Sequence, residues 1–290
     1  MRPAFLRAKW EELEMPSARK ISLVFGLLAC VSMVAVAQPS GRSERPQAPS
    51  DSDEQRIADL VLASRILVNE GVLDSFGHVT VRSLKNPAHY FMPRAMPPAL
   101  VTANDVVELD ADSVAVDPRA PRTNGERFIH GEIYKVRPDV QAIVHSHSLS
   151  VIPFSVTPER PLRPVLHMAG FLPERVAVFD HRSVSKDDPS LRGKLMVNNA
   201  KLGAALAQKL GGDSVVLIRG HGNAVVGPSL PWAVLRAVYT QLNARAELEA
   251  ISLGHEVIYL NDDELKQHPV EVFDVERPWQ NFKARLPKGP

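Results

Sequence analysis

The sequence predicts an α/β fold, a sheet covered by helices. Segments of strand period and segments of helix period alternate along the chain. The strand segments are rich in Val and Ile, and one of them, SVVLIR (214–219), has the uninterrupted apolar centre of a strand covered on both faces. The composition, 44% hydrophobic and 23% charged over 290 residues, is that of a globular chain able to bury a large core.

Residues 55–69 place Ile57, Leu60, Val61, Ser64, Leu67 and Val68 at helical spacing, and Gly71 is positioned to end that helix. HVTVRSL (78–84) alternates and is β-branched, which predicts a strand after the Gly77 turn. Residues 90–92 and 106–109 predict two shorter strands, separated by a loop that Pro93, Pro97 and Pro98 impose. Asn124 is suited to cap a helix running to about 136, with Phe128, Ile133 and Tyr134 as its apolar members. RPDV (137–140) ends it, and residues 142–147 and 175–179 predict strands. Residues 199–210 predict a helix closed by Gly211 and Gly212, followed by the strand at 214–219. A long helix over 229–253 tolerates Pro231 in its first turn, and 256–260 predicts a last strand.

The N-terminal region has a different character. Arg19 and Lys20 precede an apolar run over 21–36, and Ala35-Val36-Ala37 is a small-residue cleavage pattern. Sixteen apolar-type residues are fewer than the ~20 of a membrane-spanning helix, so a secretory signal at 1–37 is expected, with translation starting at Met15 rather than Met1. Cys30, the only cysteine, sits in LLAC, which also resembles a lipoprotein box, although the apolar run continues beyond it. Residues 38–54 are polar and rich in Pro and Ser, as in a flexible linker. The expected organisation is a signal at 1–37, a linker at 38–54, one domain at 55–265 and a C-terminal extension at 266–290. The mature protein is expected in the periplasm or outside the cell, without stable membrane association. A formal net charge of +1 gives no electrostatic reason to expect nucleic-acid binding.

Chemistry concentrates in three places. In AIVHSHS (142–148), His145 and His147 are two apart on a strand, so both project to one face. Two imidazoles so placed can chelate a divalent ion, although taken alone the pair suits a solvated surface equally well. His221 stands between Gly220 and Gly222 at the end of the apolar strand, where glycines permit a sharp turn. Three histidines would leave a metal coordination position open for a reactant. Glu126 lies at the start of the helix leading into the H-x-H strand, as a fourth ligand, a general base, or an acid complementing the helix dipole. His130, one turn further on, suits packing or support of the site, and Tyr134 suits the core. Other H-x-H folds fail on context. A cupin wants a glutamate soon after the pair, an amidohydrolase wants the pair on its first strand, and a metallo-β-lactamase wants an aspartate where Leu149 stands.

ERFIHGEIYKVRPDVQAIVHSHS (126–148) together with LIRGHGNAVVG (217–227) resembles the class II aldolase/adducin family over roughly residues 57–260. The resemblance implies a three-layer α/β/α sandwich around a mixed, mostly antiparallel sheet, and a homotetramer with sites at subunit boundaries. It implies His145, His147 and His221 as metal ligands and Glu126 as the family's acidic residue. It implies one divalent metal ion per subunit, with zinc expected and manganese compatible. The implied activity is that of a metal-dependent lyase, breaking a C–C bond beside a carbonyl through a metal-stabilised enolate. Aldol cleavage or decarboxylation of a small hydroxy or keto acid, or of a hydroxy-aromatic carboxylate, fits that chemistry. A sugar-phosphate aldolase or epimerase is the rival within enzymes. MPRAMPPA (92–99) and Asn124-Gly125 depart from the phosphate-binding residues of that branch. FGHVTVR, HGEIYKVRPDV and VLHMAGFL are more similar to the hydroxypyridine-dicarboxylate decarboxylase branch. By that likeness His78 and Arg94 line the substrate pocket. His167, in LHMAGF, is a candidate proton donor to a neighbouring subunit's site, or else a buried histidine in an irregular segment. A non-catalytic adducin-like binding module is the alternative outside enzymes; such members lack the full ligand set.

Overall fold

The Ser52 hydroxyl accepts the Gln55 N–H at 3.2 Å and so starts the first helix, α1 (Asp53–Asn69), two residues earlier than its apolar period suggests. The computed structural model describes residues 52–266 and 274–287; the signal, most of the linker and Cys30 lie outside the described residues. Three strands follow α1: β1 (His78–Arg82), β2 (Tyr90–Pro93) and β3 (Val106–Leu109). Next come α2 (Arg127–Val136), β4 (Ala142–Ser146), α3 (Ile152–Val156), β5 (Ala177–Phe179), α4 (His181–Ser185) and α5 (Ala200–Leu210). The chain continues through β6 (Val215–Ile218), β7 (Gly222–Gly227), α6 (Leu230–Ser252), α7 (Asp262–Lys266) and α8 (Glu276–Ala284).

The seven strands form one sheet in the order β3-β2-β1-β4-β7-β6-β5. Every pairing is antiparallel except β5 with β6, which gives the expected mixed, mostly antiparallel sheet. α1 and α6 cover one face and α2 and α5 the other, which completes the three layers. The alternation in β1 shows how one strand serves both faces. Val79 and Val81 enter the core under α1 and α6, while His78, Thr80 and Arg82 point the opposite way. Two apolar cores result, one on each side of the sheet.

β7 was not legible as a strand, because GNAVVG is framed by glycines that read as turn. The glycine is needed for close approach: a Cβ on Gly222 would overlap the Ser146 carbonyl oxygen. Residues 256–260, expected as a last strand, have no regular structure; Leu260 N–H donates to the Pro164 carbonyl at 2.9 Å instead of joining the sheet. The segment set apart as a C-terminal extension is not wholly peripheral, since α8 buries Trp279 and Phe282 in the α1–α6 core. Among the described residues no helix is long and apolar enough to cross a membrane.

Burial of Phe282, 5% exposed, predicts that Phe282→Ala lowers unfolding stability by about 3–5 kcal/mol. Urea unfolding followed by circular dichroism measures it. An unchanged midpoint would place α8 outside the cooperative unit.

Candidate metal centre

Two strand ends and one helix start build the site. His145 lies in β4, and the chain leaves that strand through Ser146 to reach His147. β7 begins one residue after His221. Ser146 pairs with Asn223, so the end of β4 and the start of β7 lie side by side and bring the three histidines together. Glu126 stands immediately before α2, held by Asn124, whose Oδ1 accepts the Glu126 N–H at 2.9 Å. Gly77, with φ +82°, turns the chain into β1; a Cβ there would stand 2.8 Å from the His145 carbonyl oxygen. One ligand atom from each of Glu126, His145, His147 and His221 lies within 4.8 Å of all the others.

Backbone groups aim these side chains. His145 Nδ1 donates to the Asn223 carbonyl at 2.9 Å, and His221 Nδ1 donates to the Leu195 carbonyl at 2.6 Å. A carbonyl only accepts, so both Nδ1 atoms carry a proton, and in the neutral ring each Nε2 is left with the lone pair a metal ion needs. Those lone pairs face His147 Nε2, at 3.2 Å from His145 and 2.9 Å from His221. Glu126 Oε1 accepts the Val197 N–H at 3.0 Å, leaving Oε2 at 3.4 Å from Nε2 of both His145 and His221. Ligands held at ~2.0–2.1 Å on a tetrahedral ion stand roughly 3.3–3.4 Å apart. A carboxylate and converging imidazole nitrogens at nearly that spacing fit a divalent cation.

The electrostatics agree. Burial would raise the Glu126 carboxyl, but hydrogen bonds and charge from His145 and His221 outweigh it and hold it well below the usual carboxylate range. Burial, with the neighbouring charges of His145 and His221, pushes His147 down to about 4. Burial would also lower His221, yet Glu126 and the Leu195 carbonyl raise it above its ordinary value. The pocket thus holds one fixed negative charge and favours positive charge beside it.

A cavity of about 650 Å³ opens onto the cluster. Its lining includes Glu126, His147, His221 and His78, with Phe76, Met96 and Met196 as its large apolar members. Phe76 is 67% exposed and Met196 48% exposed, so the mouth is apolar. A larger surface hollow, about 850 Å³, lies over residues 255–263 and contains none of the cluster.

Of the residues expected at the substrate, His78 lines this cavity, and its ring centroid is 5.1 Å from that of His145. Arg94 does not line it. Arg94 Nε is committed to Asp105 at 2.7 Å, and the residue borders a small adjoining niche with His78 and Asn124. Sequence spacing could not reveal that pair, because Asp105 arrives from the far side of the proline loop. His167 is exposed on a 3-10 turn (His167–Ala169) and is not among the residues lining its own chain's cavity. Several supporting groups escaped sequence reasoning. The Asn223 and Leu195 carbonyls and the Val197 N–H carry no residue signature, being backbone. Phe76, directly before Gly77-His78, was a readable signal.

Residues 58–248 match the family model described as "Class II Aldolase and Adducin N-terminal domain". The chain is 38% identical over 208 residues to the decarboxylase tropJ of Talaromyces stipitatus, covering 68% of this chain and 77% of that protein. It is 28% identical over 242 residues to a 3,4-dihydroxyphthalate decarboxylase of Arthrobacter keyseri, covering 78% of this chain and 92% of that protein. The crystal structure of an aldolase II superfamily protein from Pseudomonas syringae superposes with a TM-score of 0.67 at 22% identity, over 82% of this chain and 94% of that one. Such relatives make this an enzyme of lyase type, with four side chains grouped so that they could hold a metal ion. The chain belongs to the class II aldolase and adducin family.

Proposed function

We propose that this protein is a metal-dependent decarboxylase of a hydroxylated aromatic carboxylate. The carrying observation is the character of the cavity beside the cluster. Phe76, Met96 and Met196 offer it apolar surface, and no lysine or arginine is among its lining residues. A sugar phosphate requires cations or a nest of backbone N–H groups, whereas a flat ring is well served by apolar and aromatic walls. The two curated relatives reported above are named as decarboxylases, which supports the same reading.

His145, His147, His221 and Glu126 would hold the ion; zinc suits this donor set, and manganese is the alternative. When bound, a divalent cation supplies a Lewis acid that stabilises negative charge on the oxygen beside the breaking bond. The chain's own residues do the rest. The apolar walls clasp the ring and keep water from it. His78 meets a substrate oxygen at the cavity floor. Glu126 stays a carboxylate, because its hydrogen bonds to Val197 N–H and toward the histidines disfavour its protonated form. It therefore contributes charge rather than a proton. The carbon that loses CO2 needs a proton, and His167 of a neighbouring subunit is the proposed donor, which requires the homotetramer. A non-catalytic module would have no use for four groups aimed at one point. Export by the signal at 1–37 is proposed for the mature protein.

Three outcomes follow. Wild-type protein is expected to carry one metal ion per subunit by plasma mass spectrometry, and His145→Ala to retain under about a tenth of it, since losing a ligand typically costs several orders in affinity. Stoichiometric metal in that variant would remove His145 from the ligand set. Incubation with 3,4-dihydroxyphthalate and related dihydroxybenzoates is expected to release CO2; aldehyde from a ketose 1-phosphate, without CO2 from any of the aromatic acids, would favour the aldolase reading. His167→Asn should lower kcat about 100-fold while metal content stays unchanged, within the range of a lost general acid. Full activity in that variant would assign the proton to another group.

A further inference from the structure

Behind the cavity wall a line of hydrogen bonds runs through the polar face of β1. His78 Nδ1 lies 2.7 Å from His130 Nε2, and His130 Nδ1 lies 2.7 Å from Thr80 Oγ1. That hydroxyl lies 2.9 Å from the Tyr134 hydroxyl. All four residues are buried. Local geometry makes the line inevitable. His78 and Thr80 are two apart on a strand, His130 and Tyr134 four apart on a helix, and each pair shares the face that meets the other.

Each link carries one proton, so the line has a direction. If it ran from His78, His78 Nδ1–H would donate to His130, His130 Nδ1–H to Thr80, and Thr80 to the Tyr134 oxygen. The Tyr134 proton, or the Thr80 proton if Tyr134 donates to Thr80 instead, would then have no acceptor among the described residues, a costly arrangement for a buried hydroxyl. If it runs from Tyr134, every proton has an acceptor. Tyr134 donates to Thr80, Thr80 to His130 Nδ1, and His130 Nε2–H to His78 Nδ1. The His78 proton then sits on Nε2.

We propose that Tyr134, Thr80 and His130 are positioning residues that fix His78 as a neutral Nε2–H donor at the cavity, and that this donor selects substrates presenting a carboxylate or phenolate oxygen beside the metal cluster. The second half of this assignment rests on the hydroxy-aromatic reading of the cavity; the first half does not. His78 borders the cavity with its ring beside His145, so an oxygen it holds is within the reach of the cluster. A hydroxyl at the same point would discriminate less sharply, because it can turn and accept from a ligand that presents a donor instead of an oxygen acceptor. A fixed N–H cannot.

Neutron diffraction from deuterated crystals of the zinc-loaded protein tests the direction. Deuterium on His78 Nε2 and His130 Nε2 is expected; deuterium on His78 Nδ1 overturns the proposal. A second arm measures binding of 2,3-dihydroxybenzoate to the zinc-loaded protein by calorimetry. Thr80→Val breaks the line at its middle and should weaken binding about tenfold, the effect of one charge-assisted hydrogen bond, while Thr80→Ser keeps affinity within about twofold. Zinc content should be equal in all three. Equal affinity in Thr80→Val overturns the positioning role. If wild-type protein binds no hydroxybenzoate, the substrate selection falls along with the reading of the cavity, and the neutron result still decides the tautomer.

Discussion

The site depends on one pairing, Ser146 with Asn223 across β4 and β7. It decides how far apart His147 and His221 stand, because each lies one or two residues beyond that rung. The same contact orients His145, whose Nδ1 donates to the carbonyl of Asn223. Asn223 contributes a third time through Oδ1, which accepts the Ser146 hydroxyl at 2.7 Å. Backbone register, ring orientation and local polar satisfaction therefore come from a single residue pair. A slip of one residue in that register would turn His145 into the opposite core and leave no cluster.

That dependence explains what the sequence revealed and what it concealed. The period of two makes His145 and His147 companions wherever their strand lies, so the pair was legible. Glycines beside His221 announced a crowded backbone, and the crowding is real at Gly222. Glu126 was legible from its place before a helix that leads into the H-x-H strand. The groups that aim these residues were not legible. Asn223, Leu195 and Val197 act through their main chains, and any residue has a main chain. β7 was hidden because both its ends are glycines required by close approach, Gly222 to β4 and Gly227 to the start of α6, which leaves only Val225 and Val226 as strand signal. Arg94 was expected at the substrate, but it continues the β2–β3 ladder opposite Asp105, whose carbonyl accepts its N–H at 2.8 Å and whose carboxylate holds its guanidinium, and a contact across strands is not visible in sequence spacing. His130 was read as packing or support of the site and Tyr134 as core, and their burial agrees, but spacing did not disclose that both hydrogen-bond to Thr80.

The sheet keeps two different interiors apart. Toward α1 and α6, β1 contributes valines, and the core there is apolar and sealed by α8. Toward α2 the same strand contributes His78, Thr80 and Arg82, all buried and all hydrogen-bonded. Arg82 ends this row by donating to the Val140, Tyr134 and Arg137 carbonyls and lying 4.6 Å from the centre of the Tyr134 ring. A buried row of polar groups is tolerable only when each member is satisfied. Here the satisfaction is directional, starting at a tyrosine whose burial keeps its hydroxyl protonated and ending at the cavity.

The chemistry follows from the contrast between the two sides of that cavity. One side is an acid held ionised and imidazoles held with lone pairs inward, a surface that attracts a cation and any oxygen bearing charge. The other is Phe76, Met96 and Met196, which attract a ring and offer nothing to a phosphate. The ligand proposed above satisfies both, with charged oxygens at one end and an apolar ring at the other. Aromatic acids with a hydroxyl next to the carboxylate have that shape. In them the bond from ring to carboxylate lies close to the very oxygen the cluster would hold, so orientation and activation come from the same contacts.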